Sequence, residues 1–335
     1  MGRLLDSTLD RGLIGYTTIG YQVRRRTNWP ADPAAGSLAG KLAIVTGGSA
    51  GIGKATAAGL MSLGARVHIV VRDRERGEAA AAELARHAVG GDVRVDVCDV
   101  SSMRSVEKYA ASFPGPLDVL IHNAGVMPPE RAESVDGYEM GLATHVLGPH
   151  LLTRLLTPAM EAAGAARVIW VTSGGMYAHR LDPDELDSAP ATYRPAAVYA
   201  RTKRMQVALA DEWARRQAAG PETVVNSMHP GWADTPGVAA SLPTFRRLLG
   251  PSIRTPEQGA DTVVWLAAAP EGGQVSGELW HDRMRRTKHY LPWTRETAAD
   301  RKRLFDICDD LTGPAELSEL SAVRATSGSD NSRRS

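Results

Sequence analysis

Seven short apolar runs, separated by longer stretches with helical periodicity, constrain this chain more than any other feature. They are LAIV (42–45), ARVHIVVR (65–72), DVRVDV (92–97), LDVLIHN (117–123), ARVIWVTS (166–173), ETVVNSMH (222–229) and SGELWHD (276–282). Runs of this length fit strands buried on both faces. Helical spacing occupies 51–63, 73–88, 101–112, 134–163, 196–219 and 256–268. Parallel strands joined by crossover helices satisfy that alternation most simply. The expectation is an α/β domain over residues 38–290, a doubly wound parallel sheet with helices on both faces. Residues 1–37 read as an irregular arm and linker. Residues 291–335 read as an extension that becomes disordered from Glu316 on, where small and charged residues dominate.

Composition narrows the partners. The 335 residues carry a formal net charge of +1, so no basic field points to nucleic acid. Cys98 and Cys308 are the only cysteines, too far apart in sequence for a metal cluster or a disulfide framework. No run reaches the roughly 18 apolar residues of a spanning helix. LIGYTTIGY is too polar for a signal-peptide core, and Arg24, Arg25 and Arg26 follow it. Cytoplasmic residence is expected. The segment LIGYTTIGYQVRRRTNW allows two readings. It can rest weakly on an anionic membrane surface, or pack as an arm against the domain or a second copy.

TGGSAGIG (46–53) follows the first strand and opens a helix. Small residues there let the backbone approach a pyrophosphate, and the first helical turn offers free N–H groups and a positive dipole end. A tight strand-to-helix turn with no ligand is the alternative. At the end of the second strand, where an acid would bond a ribose hydroxyl, the sequence has Val71 and then Arg72. A guanidinium there favours a 2′-phosphate, hence NADP(H) over NAD(H). Arg72 could also simply cap a strand in solvent.

VYARTK places Tyr199 and Lys203 four apart, on one helix face. A nearby ammonium and an oxidised nicotinamide would favour phenolate, so that the tyrosine exchanges a proton with a carbonyl oxygen. Ser173 ends the fifth strand, at the sheet edge where such folds bind ligands. Tyrosine and lysine at this spacing, taken alone, are an ordinary surface pair.

The ordered set Thr46-Gly47-x-x-x-Gly51-x-Gly53, Asn123-Ala124-Gly125, Ser173, Tyr199-x-x-x-Lys203 and Pro230-Gly231 resembles the short-chain dehydrogenase/reductase family over residues 38–290. VTSGGM, VYARTKR, SMHPGWADTPGV, EQGADTVVWLA and GYTTIGY look like its dehydrogenase/reductase family member twelve group. The resemblance implies a Rossmann-type sheet and an NADP(H)-dependent oxidoreductase acting on a carbonyl or alcohol. It implies that Thr46, Gly47, Ser49, Gly51, Ile52 and Gly53 carry the pyrophosphate and ribose. Asp99 and Val100 would meet the adenine, with Asp96 as runner-up to Asp99. Asn123, Ala124 and Gly125 would line the cofactor cleft, with Asn123 as a brace. Ser173, Tyr199 and Lys203 would be catalytic, Tyr199 and Lys203 also touching the cofactor. Pro230, Gly231, Trp232 and Thr235 would border the nicotinamide. Pairing of two copies through the helices at 134–163 and 196–219 is expected by the same analogy.

Two positions depart from the family pattern. His122 replaces the first asparagine of Asn-Asn-Ala-Gly. His145 stands where an asparagine normally helps hold a water of the proton relay. Histidine can relay protons, or it can be a packed helix residue. The segment 174–198 makes the interval from Ser173 to Tyr199 long and folds beside the site mouth or forms a plain surface loop. Trp232, Leu242, Phe245, Leu248 and Leu249 can line a lid over an apolar substrate or pack ordinarily. A non-catalytic NADPH-binding module and a hydride-recycling lyase or epimerase are the competing functions.

Overall fold

The computed structural model describes residues 6, 8–10, 12–86, 91–217, 222–234, 247 and 250–313. The arm is not irregular. A 3-10 turn, Leu13–Tyr16, leads into helix α1, Thr18–Thr27. The alternation then follows as β1 (Leu42–Thr46), α2 (Gly51–Ser62), β2 (Arg66–Val71), α3 (Arg74–Arg86), β3 (Asp92–Val97), α4 (Met103–Ala111) and β4 (Val119–His122). A π-helical turn, Ala143–Leu147, precedes α5 (Gly148–Ala162) and β5 (Arg167–Val171). Then come α6 (Pro195–Gln217), β6 (Val224–Met228), α7 (Pro256–Ala268), β7 (Leu279–His281), β8 (Met284–Arg286) and α8 (Ala298–Leu311).

One sheet runs β3-β2-β1-β4-β5-β6-β7-β8. All neighbours are parallel except β7 and β8. The order reverses between β1 and β4, so the crevice at their C-terminal ends is where a ligand fits such a sheet. β1 is buried throughout and β4 likewise, which explains their unbroken apolar runs. One core lies against α4, α5 and α6, the other against α2 and α7.

Both ends add structure that periodicity did not announce. β8 is a second strand of a hairpin whose turn residues, Asp282 and Arg283, have φ of +51° and +57°. Such turns favour Asn-Gly or Asp-Gly, and HDRM has the Asp but carries Arg where Gly is usual. Helix α8 starts with a capping box, the Thr297 side chain accepting from Asp300 N–H. Its Phe305 packs on Trp213 (ring centroids 5.0 Å apart) and His150 (4.7 Å). Arg216 lies over the Phe305 ring, and Asp309 pairs with Arg154 (2.9 Å). The extension as far as Gly313 is therefore ordered, and the rest of the tail lies outside the described residues.

Candidate active site

The glycine loop is shaped by contact as well as by conformational freedom. Gly47 has φ +67° and Gly51 φ +53°, both left-handed. A Cβ on Gly53 would sit 2.3 Å from the Gly47 carbonyl oxygen and 2.4 Å from Asn123 Nδ2. The α2 N-cap, Ala50, makes no side-chain cap, so no side chain at that position competes for the first-turn N–H groups. This cradle fits a pyrophosphate.

Thr46 does not face outward. It is buried, and its hydroxyl donates to the Ile121 carbonyl (3.2 Å) and accepts from the N–H groups of Asn123 (3.0 Å) and Ala124 (3.1 Å). Asn123 Nδ2 donates to the carbonyls of Thr46 (2.9 Å) and Gly47 (3.3 Å). The two side chains thus tie β1 to β4 and hold the loop. Ser49 and Ile52 are partly exposed beside it.

Arg72 is exposed one residue beyond β2. Asp96 is taken up by structure: it meets His68 Nδ1 (2.8 Å), Arg94 (2.9 Å) and the Tyr109 hydroxyl (3.1 Å). These partners hold its carboxyl below the usual range against the opposing effect of burial. Asp99 is partly exposed and accepts from Ser101 N–H (2.9 Å) and hydroxyl (2.7 Å) through one oxygen. Val100 is buried beneath it. Of the two acids, Asp99 is the more exposed.

Ser173, Tyr199 and Lys203 come together. Ser173 follows β5, its hydroxyl accepting from Gly175 N–H (3.2 Å), and it lies close enough to Tyr199 to draw the phenol's pKa down. Lys203 is buried, with Nζ 5.4 Å from the Tyr199 ring centroid and donating to the Val171 carbonyl (3.1 Å). The Thr172 hydroxyl in turn donates to the Lys203 carbonyl (2.7 Å), which fixes α6 against the end of β5.

The charge balance differs from the expectation. Burial pushes the Tyr199 phenol up to about 12, with Ser173 pulling it back. Burial also brings the Lys203 ammonium down to about 7. In the chain alone burial dominates both groups.

His145 is buried and stands edge-on to Tyr199, centroids 5.4 Å apart. Its Nε2 accepts from Val126 N–H (2.9 Å), which leaves the proton on Nδ1, 2.8 Å from Thr202 Oγ1. Thr202 donates onward to the Tyr199 carbonyl (2.9 Å). Burial holds the imidazole well below its ordinary pKa. Both ring nitrogens are therefore engaged, and the ring is neutral near pH 7. The His145 carbonyl accepts from Gln206 Nε2 (2.9 Å). His122 meets Thr153 (2.7 Å) inside the core.

The substrate side draws on residues that the motifs did not single out. Gly231 has φ +73°, and a Cβ there would meet the Arg254 guanidinium at 2.6 Å and the Tyr16 carbonyl at 2.7 Å. Arg254 Nη1 donates to the Pro230 carbonyl (3.2 Å), and Trp232 N–H to the Tyr16 carbonyl (2.8 Å). The segment after Ser173 is tied down too, Tyr193 donating to the Pro128 carbonyl (2.9 Å) and Tyr177 to the Thr287 carbonyl (2.9 Å). Thr235 and the lid positions Leu242, Phe245, Leu248 and Leu249 lie outside the described residues.

Known proteins resemble this chain over most of its length. A family model described as short chain dehydrogenase matches residues 41–181. Dehydrogenase/reductase SDR family member 12 of Bos taurus is 40% identical over 305 residues, which are 90% of this chain and 95% of that protein. The chain belongs to the short-chain dehydrogenase/reductase family. It groups with member 12 of that family and is an oxidoreductase acting on CH–OH and C=O groups. Polyprenol dehydrogenase of Mus musculus is 38% identical, covering 72% of this enzyme and 76% of that one. Among solved structures, the Pseudomonas aeruginosa RhlG/NADP active-site complex shares 27% identity at a TM-score of 0.60, covering 74% of this chain and 96% of that one.

Proposed function

We propose that this enzyme is an NADP(H)-dependent reductase or dehydrogenase of apolar carbonyl compounds and their alcohols. The observation that carries the reading is Ser173 set beside Tyr199 with Lys203 buried behind it, at the sheet edge that also bears the glycine cradle. The cradle and Asp99 would hold the dinucleotide, and exposed Arg72 would pair with its 2′-phosphate. When bound, the nicotinamide supplies or accepts hydride. In reduction, a carbonyl, NADPH and a proton become an alcohol and NADP+. The Ser173 hydroxyl orients the substrate oxygen and Tyr199 gives it a proton. Lys203 sets the charge beside the phenol. His145 acts as a pin between the 123–126 loop and α6, since neither of its nitrogens is free to shuttle.

The intact Ser173, Tyr199 and Lys203 favour turnover over a binding-only module. Replacing Tyr199 by Phe removes the acid. Turnover of NADPH with an aldehyde and ketone panel should then fall by roughly 10²–10⁴-fold while NADPH binding persists. Equal rates in the two proteins would remove the assignment, and product formed without net NADPH consumption would point to hydride recycling.

The arm packs on the domain, yet it also leaves Leu13 71%, Ile14 58% and Ile19 53% exposed, with Arg25 and Arg26 exposed on the same segment. We place a peripheral membrane contact on this outward face. Among the described residues no helix is long and apolar enough to cross a membrane. Vesicles containing phosphatidylserine should pellet the wild type more than an L13S/I14S/I19S variant, and equal pelleting would argue against the contact. A homodimer through α5 and α6 would have to use the surface that α8 leaves open.

A further inference from the structure

We infer that the N-terminal arm is part of the catalytic pocket, and that Tyr16 is a specificity-determining residue forming the pocket wall beside Ser173. The inference deepens the proposed function and rests on its reading of Ser173 and Tyr199.

Tyr16 Cε1 lies 3.2 Å from where a Cβ on Gly174 would stand, one residue after the serine. The ring is partly exposed, and it stacks on Trp232 (centroids 5.7 Å apart, planes 28° apart) and on His281 (5.5 Å). His229, at 5.2 Å, completes the cluster, with both of its ring nitrogens buried and unpartnered. Burial keeps that imidazole neutral. The wall is thus a set of uncharged rings. The Tyr16 hydroxyl is bonded to the arm's own Asp10 carbonyl (3.3 Å), which leaves a ring edge against Gly174.

The arm is held rather than tethered. The Gly15 carbonyl accepts from Arg24 (2.8 Å) and Arg254 (2.9 Å), and Asp282 joins both guanidinium groups (2.7 and 2.6 Å). The Thr17 carbonyl accepts from Arg254 Nε (3.2 Å), and the Thr18 hydroxyl donates to the Ile253 carbonyl (3.0 Å). Arg254 also holds the Pro230 carbonyl. One buried cation therefore fastens both the arm and the Pro230–Trp232 loop. A ring so fixed discriminates by shape, because it cannot move aside at low cost. The substrates it fits are apolar carbonyls that lie flat along it.

The test uses the full chain and a probe series of straight-chain aldehydes from butanal to dodecanal, with benzaldehyde and acetophenone. Wild type, Tyr16→Ala, Tyr16→Leu and a control at the exposed end of α1, Thr27→Ala, are compared in NADPH oxidation, with melting temperature as the folding check. We expect Tyr16→Ala to lower kcat/KM for the preferred probes by about tenfold or more, mainly through KM, and to flatten the ranking across the series. Tyr16→Leu should change the ranking without a comparable loss of stability, and Thr27→Ala should leave both unchanged. An unaltered ranking in folded Tyr16→Ala and Tyr16→Leu overturns the inference. If wild type binds NADPH but turns over no probe, the catalytic reading fails. The arm is then judged by thermal shifts of the NADPH complex with the same probes. Shifts lost in Tyr16→Ala support it, and equal shifts, or none in either protein, overturn it.

Discussion

The two walls of the cleft are built in opposite ways. The wall proposed for the cofactor is local: Gly47, Gly51 and Gly53 lie within eight residues, and Asn123 and Ala124 brace the loop, Asn123 Nδ2 donating to the Thr46 and Gly47 carbonyls and Ala124 N–H to the Thr46 hydroxyl. The wall proposed for the substrate draws on Gly15 to Thr18, His229 to Trp232, Arg254 and the β7–β8 turn, with the arm more than 200 positions from the other pieces. A buried ion network holds it. The comparison teaches that a local motif can be bound by small residues and amides, whereas distant segments here converge on buried charge. Such charge is costly unless fully paired.

Breaking the substrate wall should produce the largest effect. Asp282→Asn leaves Arg24 and Arg254 buried without their shared carboxylate, and should cost about 3–5 kcal/mol. A lowered melting temperature and faster proteolysis within the first 30 residues would register it. The guanidinium groups hold the Asp282 carboxyl far below its ordinary value against the effect of burial. A depressed carboxylate contributes stability above its unfolded pKa and loses it only as pH falls through the folded one. The difference between wild type and variant should therefore be flat from about pH 6 to 9 and shrink only in strong acid. A difference that varied across neutrality would mean that another group carries the latch.

Arg72→Glu sharpens the other side. An acid should reject the 2′-phosphate and accept ribose hydroxyls, shifting the NADPH to NADH ratio of kcat/KM by about tenfold or more toward NADH. The melting temperature should not move, because Arg72 is exposed. An unchanged ratio would place the phosphate elsewhere. The smallest effect is expected at His145, between the walls. Asparagine can still accept from Val126 N–H, so His145→Asn should keep kcat within a few-fold and leave its pH profile alone. Complete loss of activity in a folded variant would give the imidazole a specific role.

How much was legible follows the same division. Strand runs and glycine spacing are local signals, so the seven parallel strands and the cradle could be read directly. Asn123 is read as a brace from its motif, and its bonds to Thr46 and Gly47 agree with that reading. Thr46 was expected among the cofactor residues, yet its hydroxyl is spent between strands. β8 escaped because its turn has Arg283 where the Gly of an Asp-Gly hairpin would stand. GYTTIGY was visible as a motif, but nothing in its periodicity says which surface it covers.

The sequence by itself determined the alternation of strands and helices, the glycine loop and the one-face spacing of Tyr199 and Lys203. Each depends on residues close in the chain, whose geometry follows from backbone periodicity. Only the tertiary structure decided that burial brings the Lys203 ammonium down to about 7, that both nitrogens of His145 are engaged, and that Tyr16 lies against Gly174. Those properties arise from burial and from partners far away in sequence. Desolvation and long-range pairing exist only once the chain has closed on itself.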